Sequence, residues 1–310
     1  GIIGPVAAQR DLLAVADLTS CEIVLYDLRR GTFVRRLGGC GRGPGEFSQI
    51  DAMAWRGDSL LVVNRPNTEI VVMRLDGVES RRVRADVGPF VLFVHRLDVL
   101  DDTTLMLSLA RFPSTNVRGV RDADVHSLMA LVDARTGRRR QYFLEDQDPR
   151  SVTNRAPMAR MSVACTPAGG KRPVLAVLSP WTFRGLIVGL PGTNLPMVEF
   201  SSQVEGYGPQ ERASGQWVPT GFRDVACGDQ AVMFKWIKRE EDDQGNRWGW
   251  GYLELRDYQG TLLLRKNLAR ADSALFGRVG AAYGDRFYLY SNTIFAYPVI
   301  LEYRLEWVPR

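Results

Sequence analysis

The sequence predicts an all-β protein, a six-bladed β-propeller of four-stranded antiparallel blades, on three observations. One phrase recurs six times along the 310 residues. Short apolar runs bounded by Gly-Asp and Asp-Gly turns dominate the chain, and helical periodicity is sustained nowhere. A four-strand repeat at a period of 40–55 residues is the mark of one propeller blade.

The recurring phrase is a small or apolar pair, a tight polar turn and a run of apolar residues. It reads Ala8-Gln9-Arg10-Asp11 before Leu12 to Val15, and Trp55-Arg56-Gly57-Asp58 before Ser59 to Val63. It returns as Leu100-Asp101-Asp102 before Thr103 to Leu107, and loosely as Cys165-Thr166-Pro167 leading into Val174 to Leu178. The last copies are Cys227-Gly228-Asp229 before Gln230 to Phe234 and Tyr283-Gly284-Asp285 before Arg286 to Tyr290. Each is followed by a second strand-and-turn phrase, such as Glu22 to Asp27 with Gly31, Ser127 to Asp133 with Gly137, and Gly251 to Asp257 with Gly260. Ile23 and Ile70 stand 47 residues apart, as do Asp17 and Asn64. The blades are expected near 8–50, 51–96, 97–158, 159–220, 221–277 and 278–310, as one domain. A pair of β-sandwiches is the alternative, and six copies of one phrase fit it poorly. The last repeat is short of a fourth strand, and Gly1 to Ala7 or residues upstream are expected to supply it.

The segment Leu37-Gly38-Gly39-Cys40-Gly41-Arg42-Gly43-Pro44-Gly45-Glu46-Phe47 stands between the first two repeats. Its glycines permit positive φ, Pro44 fixes a bend, and Glu46 is placed to accept hydrogen bonds from the loop's own amides. This segment, with Asp51 to Trp55 and Asp58 to Asn64, resembles the bacterial six-bladed β-propeller family related to NHL-repeat proteins. The likeness covers roughly residues 10–80, with a decayed copy of the linker at Glu205-Gly206-Tyr207-Gly208-Pro209-Gln210. It implies an exported protein, often held at the envelope, and says little about activity.

Composition agrees with a soluble globular chain: 45% hydrophobic and 24% charged residues, without the ~20-residue apolar run of a membrane-spanning helix. The first residue is Gly, so upstream sequence such as a signal peptide or an anchor is expected. The net charge of +5 comes from basic residues scattered through every segment. That scatter argues against a nucleic-acid groove, which gathers its charge on one face.

Motifs for chemistry fail on inspection. Pro44 stands where the third Gly of a dinucleotide fingerprint would fall, and Gly170-Lys171 is followed by Arg172 rather than Ser or Thr. Arg56-Gly57-Asp58 spells an adhesion tripeptide, but Cys-Gly-Asp and Tyr-Gly-Asp fill the same slot elsewhere, so it reads as a hairpin turn. Two histidines, His95 and His126, are too few for a His-rich metal site. No cofactor is expected. A propeller hydrolase or lyase acting on a sugar or lactone would need carboxylates around a hard cation, and Asp51, Asp98 and Asp224 are the candidates. Cys21 and Cys40 fall at the same end of the blades and suit a disulfide closing a loop of about twenty residues, contributing roughly 3 kcal/mol. Such a bond implies an oxidising compartment, periplasmic or otherwise extracytoplasmic. Cys165 and Cys227, in matching Val-Ala-Cys slots at the ends of the inner strands of repeats four and five, read as buried free thiols, with an approach to one another across neighbouring blades as the alternative.

Counting strands from the centre outward, the inserted sequence falls almost entirely on the end that carries second-to-third loops and blade-to-blade links. Ala110 to Val125, Asp146 to Met158, Ser201 to Thr220 and Lys238 to Trp248 are examples. Loops on a rigid scaffold commonly carry function. Trp and Arg are the side chains most enriched in binding hot spots. The expected interface is therefore Arg111, Phe112, Arg118, Trp181, Phe183, Trp217, Trp248, Trp250, Phe295 and Tyr297. The function these features predict is non-catalytic protein binding, as a scaffold or extrinsic subunit of a larger extracytoplasmic assembly. A membrane-bound electron-transfer or photosynthetic complex is one conceivable host. A propeller hydrolase and a ligand or glycan sensor are the rival expectations.

Overall fold

Runs such as Leu60-Leu61-Val62-Val63 and Ile70-Val71-Val72-Met73 have no polar alternation, although side chains of a strand point alternately to opposite faces. Both faces of such a strand must then be buried. A computed structural model of the chain shows how. It describes residues 2–88, 91–111, 127–145, 161–165, 174–178, 184–189, 198–201, 210–211, 217–218, 221–241, 247–268, 278–291 and 299–306. They fall into two compact units, residues 1–159 and 160–310.

The first unit holds three four-stranded antiparallel sheets, each a blade in simple meander order. Blade one is β1 (Ile3–Gln9), β2 (Leu12–Asp17), β3 (Glu22–Asp27) and β4 (Thr32–Gly38). Blade two is β5 (Ile50–Arg56), β6 (Ser59–Asn64), β7 (Glu69–Arg74) and β8 (Glu79–Arg84). Blade three is β9 (Val91–Val99), β10 (Thr104–Arg111), β11 (Ser127–Asp133) and β12 (Arg139–Glu145). The first strands β1, β5 and β9 pack side by side in that order.

Blade two is sandwiched. Leu60, Val62, Val71 and Met73 join Ala14, Ala16, Ile23 and Leu25 of blade one in one core. Leu61, Val63, Ile70 and Val72 join Leu97, Leu105, Leu107 and Val132 of blade three in another. Alternate residues of one strand thus enter two different cores. Trp55 Nε1 donates to the Ala7 carbonyl at 3.1 Å, tying β5 to β1.

The second unit contains β13 (Met161–Cys165), β14 (Val174–Leu178), β15 (Arg184–Gly189) and β16 (Val198–Ser201) as one four-stranded sheet. A two-stranded pair, β17 (Gln210–Glu211) and β18 (Trp217–Val218), follows it in sequence. The next blade is β19 (Gly221–Cys227), β20 (Ala231–Glu241), β21 (Arg247–Asp257) and β22 (Leu262–Leu268). The last sheet has three strands, β23 (Arg278–Tyr283), β24 (Arg286–Ser291) and β25 (Val299–Arg304). Met233, Leu253 and Leu255 pack on Phe287 and Leu289 between these two sheets.

The architecture is an all-β propeller of four-stranded antiparallel blades, but the described residues form five such blades rather than the six expected. Among the described residues the sixth repeat contributes β23 to β25. Of the segments expected to close the last blade, Ile3–Gln9 pairs with β2 as the first strand of blade one. The register Val6↔Val15 and Gln9↔Leu12 explains this: the turn at Arg10-Asp11 is a tight hairpin that commits the preceding strand to the same sheet. Among the described residues β25 pairs only with β24.

Cys21 and Cys40 form a disulfide. Cys227 is disulfide-bonded too, and no free cysteine is present among the described residues, which corrects the free-thiol expectation. The first strands β13 and β19 pack against each other. Their matched ends place Cys165 and Cys227 at equivalent positions of adjacent strands.

Candidate binding face

Blades have two ends. Tight turns between third and fourth strands mark the first, and an aspartate closes most of them. Asp27 Oδ1 accepts from the amides of Arg29 and Arg30, Asp133 Oδ1 from Arg135 and Thr136, and Asp257 Oδ1 from Gln259 and Thr261. Self-capping of this kind is what keeps such turns short. The other end carries the second-to-third loops and the blade links.

There the Gly-rich linker between blades one and two is held by side chains of blade two. Glu46 Oε2 accepts from the Gly43 amide at 2.8 Å, the role its place in the sequence predicts. Glu79 Oε2 accepts from the Gly45 amide at 2.7 Å. Arg82 is the hub: its Nη2 donates to Glu79 at 2.8 Å and to the Glu46 carbonyl at 2.9 Å, and its Nη1 donates to Glu69 at 3.1 Å. Asn64 Oδ1 accepts from Ser48 and Gln49. A Cβ at Gly41 would stand 1.9 Å from Glu46 Oε2, so a side chain there would push that carboxylate off the Gly43 amide. Gly38, at φ +86°, faces the Phe47 ring, where a Cβ would stand 2.4 Å away. The Cys21–Cys40 disulfide braces the same loop from blade one. The hub was missed in the sequence; the only signal was Asn64, standing 47 residues from Asp17, whose own Oδ1 accepts from the Thr19 amide.

Asp51, the first of the candidate metal ligands, stands at the start of β5. Its Oδ1 receives Arg65 Nε at 2.7 Å and Nη2 at 2.6 Å, and its Oδ2 receives the Val94 amide at 3.0 Å. Its side chain is 2% exposed, and burial holds its carboxyl above the usual range despite the Val94 amide and Arg65. Arg65 also lies over the Phe93 ring, 5.6 Å from its centroid, and Phe93 meets His95 edge-on at 4.4 Å. This carboxylate is committed to the junction of blades two and three. Asp98 pairs with Arg96 Nε at 3.0 Å in β9. Asp224 lies in β19, opposite Lys235 in register. The described residues contain no group of three or more His, Cys, Asp or Glu side chains placed to share a metal ion.

The second-to-third connection of the β19–β22 blade is not a loose insertion. β20 and β21 run eleven residues each, and their pairing continues through Lys238↔Trp250, Arg239↔Gly249, Glu240↔Trp248 and Glu241↔Arg247. β19 pairs no farther than Ile237, and β22 no farther than Gly251. A two-stranded ribbon therefore projects past the four-stranded sheet, and Trp248 and Trp250 stand two positions apart along β21 within it. Arg111 ends β10 and Trp217 lies in β18. Phe112, Arg118, Trp181, Phe183, Phe295 and Tyr297 lie outside the described residues.

No family model matches the chain, and no curated protein matches its sequence significantly. Solved structures match its fold. A Bacteroides fragilis protein proposed to be exported is similar at a TM-score of 0.60 and 12% identity, covering 94% of this chain and 79% of its own. The β-propeller domain of Cps50 from Myceliophteria thermophila gives 0.49 and 13%, over 90% of this chain and 89% of that one. Regucalcin, a calcium-binding protein from Agrobacterium tumefaciens, gives 0.49 and 8%, over 94% and 82%. At these identities the likeness is one of fold alone. No helix among the described residues is long and apolar enough to cross a membrane.

Proposed function

We propose that this protein is a non-catalytic protein-binding propeller of the NHL-like kind, acting outside the cytoplasm as an extrinsic subunit of a larger assembly. The projecting β20–β21 ribbon carries the reading. A two-stranded ribbon is marginal by itself in water, and one bearing Trp248, Trp250 and Arg247 gains stability when a partner covers it. The commitment of Asp51 to Arg65 and the Val94 amide supports a structural use of the first-strand carboxylate that a propeller hydrolase would direct to a cation. Two disulfide-bonded segments suit an oxidising compartment, as does the likeness in fold to a protein proposed to be exported.

The test is quantitative cross-linking and affinity capture from the envelope fraction, comparing the native sequence with the W248A/W250A double variant. One stoichiometric protein partner is expected, and its recovery should fall at least tenfold for the variant while the variant's melting temperature stays within a few degrees. Calcium or another divalent cation binding stoichiometrically by calorimetry, with hydrolysis of a lactone or sugar ester, would overturn the reading.

A further inference from the structure

The outermost strands β4, β8, β12 and β22 each carry a β-bulge at a matching place. Tyr26↔Phe33 and Leu25↔Arg35 leave Val34 of β4 unopposed. Met73↔Glu79 and Val72↔Arg81 do the same for Ser80 of β8, and Val132↔Arg139 and Leu131↔Gln141 for Arg140 of β12. In β22 the unopposed residue is Leu263, between Arg256↔Leu262 and Leu255↔Leu264. A bulge twists an edge away from a further strand, and a polar residue suits so exposed a place. Blades two and three keep to that, with Ser80 and Arg140. Blade one does not: Phe33 is 58% exposed and Val34 43%, neighbours at the bulge. The β22 edge shows the same departure, with Leu262, Leu263 and Leu264 exposed. Folding hides little of these side chains, so the core does not account for them.

Blade one adds charge to its apolar edge. From Leu28 to Gly45 the chain holds five arginines and no acidic residue. Arg29 is engaged by Asp11 at 2.8 Å, and Arg36 by Glu22 at 3.0 Å. Arg30 and Arg35 are exposed and form no ion pair among the described residues. Arg30, Phe33, Val34 and Arg35 belong to one turn and the strand it starts, so a span of about 17 Å holds all four. On β22 the charges are already committed: Arg265 meets Glu254 at 2.6 Å, and Lys266 lies over the Tyr303 ring at 6.0 Å.

We propose that the β4 edge of blade one docks on a membrane surface rich in anionic phospholipid. Phe33 and Val34 enter the headgroup layer, and Arg30 and Arg35 meet lipid phosphates, which match the guanidinium fork. The bulge at Val34 and the paired charges of Arg35 and Arg36 discourage addition of a partner's strand, whereas a lipid surface needs no strand register. This contact is separate from the β20–β21 ribbon and does not depend on it.

The experiment is cosedimentation of the full chain with vesicles of phosphatidylglycerol or of phosphatidylcholine, over a series of salt concentrations. Binding to phosphatidylglycerol, absent with phosphatidylcholine and weakening as salt screens the arginines, is expected. It should fall about tenfold or more in F33S/V34S and in R30Q/R35Q, and persist in R30K/R35K. R84Q removes one exposed arginine from the polar edge of blade two and should leave binding within about twofold. All these positions are exposed, so melting temperatures should stay close to that of the native protein. No binding to phosphatidylglycerol at low salt, equal binding to phosphatidylcholine, or binding that survives F33S/V34S and R30Q/R35Q overturns the proposal. So does a loss in R84Q as large as in R30Q/R35Q, which would mark a response to net charge. Capture of an acidic protein through the same residues, without vesicle binding, would assign the edge to a protein partner and overturn it as well.

Discussion

Asp51 shows how a single side chain is decided by its surroundings. Buried at the head of β5, it spends both oxygens on Arg65 and on the amide of Val94, across the gap between two blades. Its carboxyl is held above the ordinary range, chiefly by burial. A raised acid makes stability fall as pH climbs from the unfolded value near 3.8 through the folded one. D51N keeps an acceptor for Arg65 but loses the one for Val94, so it should destabilise the protein by about 1–3 kcal/mol in denaturant titrations. The difference from the native protein should be largest at the acid end of that window and shrink above it. A constant difference across pH 3.5–6, a range spanning the ordinary carboxylate values, would show that Asp51 does not titrate as described.

At the scale of an element, the linker of residues 38–47 is a loop made rigid by one arginine. Arg82 hydrogen-bonds to Glu79, Glu69 and two linker carbonyls, and Glu79 in turn holds the Gly45 amide. The Arg82 bond is the largest influence keeping the Glu79 carboxyl below its usual range. Depressed acids stabilise the fold above the unfolded value, and that contribution is lost as pH falls through the folded one. R82Q should therefore lower stability by about 2–4 kcal/mol at neutral pH and flatten the acid limb below pH ~4.5. The check is a set of urea titrations from pH 3 to 7. Much of this element was legible in advance: alternate glycines, Pro44 and Glu46 announce a bent loop that caps itself. Arg82 was not, because it lies on β8, thirty-six residues from the carbonyl it grips, and one arginine among many in the sequence gives no local sign of its partners. The ribbon was read only as an inserted loop, since Gly249, Gly251 and the acidic stretch after Lys238 hide strand alternation.

For the molecule as a whole, the repeated phrase established blade architecture, while the count of complete blades depended on pairings that sequence does not display. Nothing in Ile3–Gln9 says which sheet it will join until the hairpin at Arg10 is seen to close on β2. The double burial of the middle strands was written plainly in their unbroken apolar runs. Leu60 and Leu61 are neighbours in the chain but belong to different cores. Leu60→Ala and Leu61→Ala should each cost about 2–5 kcal/mol, and their effects should be close to additive, because no cavity is shared. Strong coupling between them in a double-mutant cycle would show that the two cores communicate.

This double burial also has a signature in how substitutions are tolerated. In an ordinary half-buried strand, tolerance rises and falls with every second residue, a ripple that reports which side faces water. Along β6 and β7 there is no water side, so a saturation-mutagenesis profile should run flat and low from Leu60 to Val63 and from Ile70 to Met73. The exposed outer strand β4 should lie high throughout its first five residues. The contrast would let blade position be read from tolerance data alone: strands two and three as silent floors, strand four as a plateau. In such a protein the freedom to vary is a function of distance from the centre of the blade rather than of parity along the strand.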